Sequence, residues 1–158
     1  MSKGERISHM VSQMVGKTPA DPTALVEDHP YYRAFFQCWN EQRYYEAHDV
    51  LEQVWLKTET NDDDFFKGLI QGAGAFIHLQ KNFEHPLHPK HGRRLRPAVR
   101  LFLLAEKHLT PFAPVRHAFD VAAFLTLLRA HREKIVESDY QLNPWSPGRA
   151  PRLELRAK

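Results

Sequence analysis

From Phe65 to Leu79 the chain carries one charged residue, Lys67. A helix of that composition has almost no face suited to water and must be covered on most sides. The other elements therefore have to be arranged around it. Phe65, Phe66, Leu69, Ile70, Ala73, Phe76 and Ile77 make a broad apolar face. Gly68, Gly72 and Ala75 line a second face with almost no bulk, which suits close approach of a neighbouring helix or open space for a ligand. Glycine costs about 1 kcal/mol against alanine inside a helix, so Gly68, Gly72 and Gly74 require a compensating gain.

The flanking segments read as helices too. Ile7, Met10, Val11, Met14 and Val15 follow the spacing of one apolar helix face. That stretch is too short to be stable alone, so it docks on the body, docks on a partner or frays. "GKTPADPTALVEDHP" reads as a proline-punctuated connector with a short helical turn. Pro30 suits a first helical position, predicting a helix from about Pro30 to Asn40. A second spans about Tyr44 to Lys57. Asn61 as a cap, with Asp62, Asp63 and Asp64 on the positive end of the dipole, starts a third helix running from about Asp62 to Lys81. A fourth covers Arg93 to Leu109, bent or restarted at Pro97. A fifth covers Val115 to Glu137.

The tail after residue 137 has no helical period and is expected to be extended, with Leu142 and Trp145 as anchors. No stretch alternates with period two, and no repeat is evident. The expected fold is all-α: a single-domain helical bundle of about five helices (30–137), with an N-terminal helical arm and linker (1–29) and an extended C-terminal tail (138–158).

A chain of 158 residues is long enough for one core, and ten phenylalanines, five tyrosines and three tryptophans supply large buried area. The lone Cys38, between Phe36 and Trp39, excludes a disulfide framework and a thiolate zinc cage. It reads as a small core residue. No apolar run reaches the length of a membrane span and no signal peptide is apparent, so cytoplasmic is the default expectation for location.

Polar residues inside apolar arcs are the candidates for function. On the second helix, Tyr44, Ala47, Val50, Leu51, Val54 and Trp55 form one arc, extended by Tyr45 and Leu56. Glu46, Asp49, Gln53 and Lys57 gather on the remaining, solvent face. His48 and Glu52, one turn apart, interrupt the arc and need partners. On the third helix, Lys67, Gln71 and His78 share a stripe; if it is covered, Gln71 and His78 must be hydrogen-bonded.

"YYEAHDVLEQVW" (44–55) and "FFKGLIQGAGAFIHLQKN" (65–82) together resemble the domain-of-unknown-function 309 family over roughly residues 30–109. The family motif falls here on Glu46, His48, Asp49, Glu52 and Trp55, then on Gly68, Gln71 and His78. The resemblance implies a small helical bundle and carries no assigned activity. One departure is "QKNFEHPLHPKHGRRL", which is longer and richer in histidine than the family's usual turn.

A site built from His48, Glu52, Gln71 and His78 between the second and third helices is the leading functional locus. Three readings of it stay open. It can be a hydrogen-bond network fixing helix register. It can be a divalent-metal site with His48, Glu52 and His78 as ligands. It can be an acid–base pair of Glu52 and His48. Di-iron chemistry is disfavoured because the His-x-x-x-Glu spacing has no second copy. Glu46, in the first turn of its helix, reads as a structural acid.

A different class is suggested by Lys90, Arg93, Arg94, Arg96 and Arg100, with His85, His88 and His91, in a segment from His85 to Ala105 without an acidic residue. That segment can bind anions or nucleic acid, although no nucleic-acid motif or interleaved aromatic accompanies it. A solvated face paired with acids elsewhere, such as Asp62, Asp63 and Asp64, is its plainer reading. An interaction module, including a homo-oligomer formed through the N-terminal arm, is the third class. Nothing in the sequence decides whether the protein is an enzyme.

Overall fold

The computed structural model describes residues 2–15, 25–57 and 62–157, with side chains described for all of these except residues 54–57. Among the described residues there are six α-helices: α1 (Lys3–Val15), α2 (Pro30–Asn40), α3 (Tyr44–Lys57), α4 (Asp63–Glu84), α5 (Leu95–Leu109) and α6 (Val121–Glu137). The fold is predominantly all-α. The expected cap Asn61, most of the predicted connector, and the side chains of Val54, Trp55 and Leu56 lie outside the described part.

Local chemistry sets most boundaries. Pro30 occupies the first turn of α2, and His29 Nδ1 accepts the Tyr31 N–H at 3.2 Å. The turn between α2 and α3 passes through Gln42, whose φ of 59° is left-handed. Pro97 neither bends nor restarts its helix: it falls in the first turn of α5, where its missing N–H has no intrahelical partner to lose.

The predicted fifth helix starts six residues late. Val115–Arg116 (β1) and Phe119–Asp120 (β2) instead form an antiparallel hairpin, an element the absence of period-two alternation did not predict. The Asp120 side chain then caps α6 by accepting the Ala123 N–H at 2.9 Å. The third predicted helix also runs further, to Glu84.

α4 lies between α3 and α5, as its composition demands. Its small-residue face is filled by neighbours and holds no space for a ligand. A Cβ on Gly68 would sit 2.5 Å from Leu109 Cγ of α5, and one on Gly72 would sit 3.1 Å from Phe124 Cζ of α6. The compensating gain for these glycines is close helix packing.

Trp39 sits at the centre, fully buried. Its ring meets Phe35 of α2, Tyr44 of α3, Phe76 of α4 and Phe124 of α6 at centroid distances of 4.7–6.1 Å. α1 docks on α2 and α3 through buried Ile7 and Val11. Cys38 is a core residue whose S–H donates to Met14 Sδ, and burial pushes its thiol up to about 12.

The tail is extended and strapped across α2. The Trp39 indole donates to Pro151 O at 2.9 Å, and the Asn40 amide pairs with both backbone groups of Leu153 at 2.7 Å. Leu155 then bridges to Phe119, and Arg156 N donates to Ala118 O. Trp145 is an anchor, donating to the Tyr44 hydroxyl at 3.0 Å. Leu142 is not: it is half exposed, and the second anchor is Leu153.

Gly68→Ala is expected to lower stability by about 1–3 kcal/mol in chemical denaturation, because the buried Leu109 side chain has nowhere to move. Gly4→Ala, which meets nothing within 4 Å, is expected to leave stability unchanged or slightly raised.

Candidate functional site

The inward arc of α3 buries Tyr44, Ala47, Val50 and Leu51 completely. This places His48 and Glu52 on its flank, under the N-terminal end of α1. His48 Nδ1 lies 3.3 Å from Asp49 Oδ1 and 3.4 Å from Glu52 Oε1. Asp49 is therefore not on the solvent face predicted for it; its side chain is 15% exposed. The cause is α1, which brings Lys3 Nζ to 3.2 Å from Asp49 Oδ1 and 3.8 Å from Glu52 Oε2. The hydrogen bond to Asp49, then its charge, raises the Lys3 pKa above the ordinary lysine value.

One ligand atom from each of His48, Asp49 and Glu52 lies within 4.8 Å of the others. An imidazole and two carboxylates form a donor set suited to a divalent cation. The same pairing can hold or pass a proton. Glu46, in the first turn of α3, lies 3.9 Å from Arg43 Nε and serves the helix start.

Gln71 and His78 do not join this cluster. The His108 Nδ1–H of α5 donates to Gln71 Oε1 at 2.7 Å, and His78 Nδ1 accepts from Arg94 Nη1 at 3.1 Å. Their stripe on α4 turns toward α5 and the preceding loop, whereas His48 and Glu52 stand beside α1. The four predicted residues are thus divided between separate places, and His78 belongs to no three-residue metal-binding group among the described residues. Burial first, then Arg94, Lys81 and Arg100, pushes His78 down to about 4.

Arg94 is the hub of the second place. Its Nε donates to His91 Nδ1 at 2.9 Å while Nη1 serves His78, and its backbone N–H donates to Asn82 Oδ1. A guanidinium only donates, so both Nδ1 atoms are unprotonated there. Desolvation and then Arg94 also lower the His91 pKa.

Lys90, Arg93, Arg96 and Arg100 are exposed, and Arg96 stacks on the Tyr140 ring at 4.0 Å. Among the described residues, neither these four nor Arg94 has a carboxylate at ion-pair distance. The plainer reading of this segment, as a face paired with Asp62, Asp63 and Asp64, is not what forms at Asp62.

Asp62 instead builds a network that the sequence did not reveal. It is 2% exposed, accepts from Arg116 Nε at 3.0 Å, and accepts from His117 Nε2–H at 2.7 Å. His117 and Ala118 form the two-residue hairpin turn with φ of 49° and 60°. Such turns favour Asn-Gly, so "RHAF" gave no signal. Phe65 and Phe66 flank the His117 ring, and the Tyr32 hydroxyl donates to His117 O at 3.0 Å. Burial raises the Asp62 pKa, but Arg116 and His117 outweigh it, and the carboxyl is held below its ordinary value. The network latches the start of α4 to the hairpin.

An open groove of about 500 Å³ lies between α2 and the tail, lined in part by Arg33, Gln37, Glu41 and Arg152. None of the predicted site residues borders it.

The family model for a domain of unknown function, DUF309, matches residues 32–86. This bears out the resemblance carried by the two motifs, over a shorter span than 30–109. The match takes in α3 with His48, Asp49 and Glu52 and the whole of α4 with Gln71 and His78, and stops at Pro86. No curated protein and no solved structure matches the chain.

Asp62→Ala is expected to cost about 2–4 kcal/mol, because it leaves the Arg116 guanidinium without its carboxylate and the His117 Nε2–H without its acceptor. The stabilising effect of Asp62 is complete above the ordinary carboxylate value near 3.8 and is lost as pH falls through its lower folded value. His78 acts at higher pH. Between its ordinary 6.5 and its folded value of about 4 the unfolded chain holds more protons, so stability falls as pH drops through that window. Urea denaturation across pH is expected to show a shallower decline there in His78→Gln, with His131, also held low by burial, retaining part of the slope. An unchanged slope in His78→Gln would contradict the assignment.

Proposed function

We propose that the protein is a small helical module that binds a divalent cation through His48, Asp49 and Glu52. The observation that carries the reading is the convergence of one imidazole nitrogen and two carboxylate oxygens within 4.8 Å on a single turn of α3. The position of Lys3 supports it as well. Its ammonium already lies against Asp49 and Glu52, so the cluster attracts a cation and is partly neutralised by one tethered on α1. A divalent ion entering the cluster displaces Lys3 and takes up the two carboxylates with His48. The mixed nitrogen and oxygen donors favour zinc, iron or manganese over calcium. Gln71 and His78 have no part in this site; they hold α4 to α5 and the following loop.

The test is metal analysis of protein purified without a histidine tag, then loaded with zinc or manganese and dialysed. Wild type is expected to retain about one ion per chain. His48→Ala is expected to lose it, and Lys3→Ala to bind roughly tenfold more tightly, since a competing charge is gone. If folded wild type and folded Lys3→Ala both retain no stoichiometric metal, the cation reading is wrong and the cluster is an ion-pair network docking α1.

A further inference from the structure

We propose that the loop between α4 and α5 docks on the surface of an anionic phospholipid bilayer, with Leu87 entering the headgroup boundary and the surrounding cations facing lipid phosphates. Leu87 is 96% exposed, the most exposed of the large apolar side chains described. It stands on a loop with defined internal bonding. His88 N donates to His85 O and Gly92 N to His88 O, at 3.1 and 2.9 Å. His88 Nδ1 accepts the N–H groups of both Lys90 and His91, and the His88 and His91 rings stack at 4.4 Å. Gly92 packs so closely on the Pro86 carbonyl that a Cβ would not fit. The loop thus presents an aliphatic tip from a fixed base.

The charge around that tip is unbalanced. Lys81, Lys90, Arg93, Arg94 and Arg96 have no carboxylate at ion-pair distance among the described residues. Arg94 spends its donors on neutral imidazoles, which orient the guanidinium without cancelling its charge. Desolvation is the larger cause of the lowered pKa values of His78 and His91, and the charges of Arg94 and Lys81 lower both further. An exposed apolar tip within a basic cluster matches the two-part requirement of peripheral membrane binding, because apolar insertion or charge alone holds only marginally.

A phosphodiester backbone would use the same cations, but it offers Leu87 nothing. The loop also has no Phe, Tyr or Trp between His85 and Arg94 on which bases could stack. The bilayer is therefore the favoured partner. This surface is separate from the α3 cluster, and its test leaves the cation reading untouched.

The experiment is co-sedimentation of the full chain with vesicles of phosphatidylcholine alone, or with about one third phosphatidylglycerol. Binding is expected only to the anionic vesicles and is expected to weaken steeply toward about 0.5 M salt. Leu87→Ser, at an exposed position where folding is not at stake, is expected to lower the partition coefficient about tenfold. Lys90→Glu with Arg93→Glu is expected to abolish binding. The proposal is overturned if wild type does not sediment with anionic vesicles, or if Leu87→Ser binds them as wild type does. It is equally overturned if duplex RNA binds with no dependence on Leu87 while vesicles do not.

Discussion

The burial of Trp39 is the interaction on which the architecture depends. One indole touches rings from α2, α3, α4 and α6, and its N–H reaches the tail at Pro151. Edge-to-face aromatic pairs are worth about 0.5–1.5 kcal/mol each beyond the area they bury. Their directional geometry also matters, because each helix must present its ring at one height and angle. A buried indole N–H needs an acceptor, and the extended tail supplies it through the Pro151 carbonyl. The extended tail has carbonyls to spare. The tail is thus a component of the core.

The arrangement divides the polar chemistry between two places. Beside α1, the carboxylates of Asp49 and Glu52 meet a lone ammonium. Between α4 and α5, a cluster of cations meets imidazoles and tyrosine rings, with no carboxylate at ion-pair distance among the described residues. A modest net charge of +3 conceals this separation. Neither cluster is covered by the hydrophobic core, which is satisfied by other residues.

How much of this was legible in the sequence follows from how local each cause is. The helices around Pro30–Asn40 and Tyr44–Lys57 were readable because capping, proline placement and apolar period lie within the segment itself. The covered character of α4 followed from its near absence of charge. His48 and Glu52 were identifiable as neighbours because a helix places positions four apart side by side.

Asp49 was misplaced because its environment is made by Lys3, far away in the chain. Gln71 and His78, on α4, were expected to meet His48 and Glu52 of α3 and instead face Arg94 and His108, because a wheel gives the angle of a stripe, not which neighbour it faces. The hairpin at Val115–Asp120 escaped notice because its strands are two residues each and its left-handed turn is His117–Ala118 rather than Asn-Gly. Its stabilising partner, Asp62, lies more than fifty positions upstream, at 54 and 55 residues from Arg116 and His117.

The strap across α2 has a consequence for synthesis on the ribosome. Trp39 and Asn40 find their polar partners 112 and 113 residues downstream. The pairings of α2 with α3, and of α3 with α4, are between sequence neighbours and can form as the chain emerges. The indole N–H and the Asn40 amide cannot be satisfied at that stage. Before residues 151–153 are made, water has to serve these groups along α2. The tail, last to be made, is therefore the segment that replaces water at the Trp39 indole and the Asn40 amide.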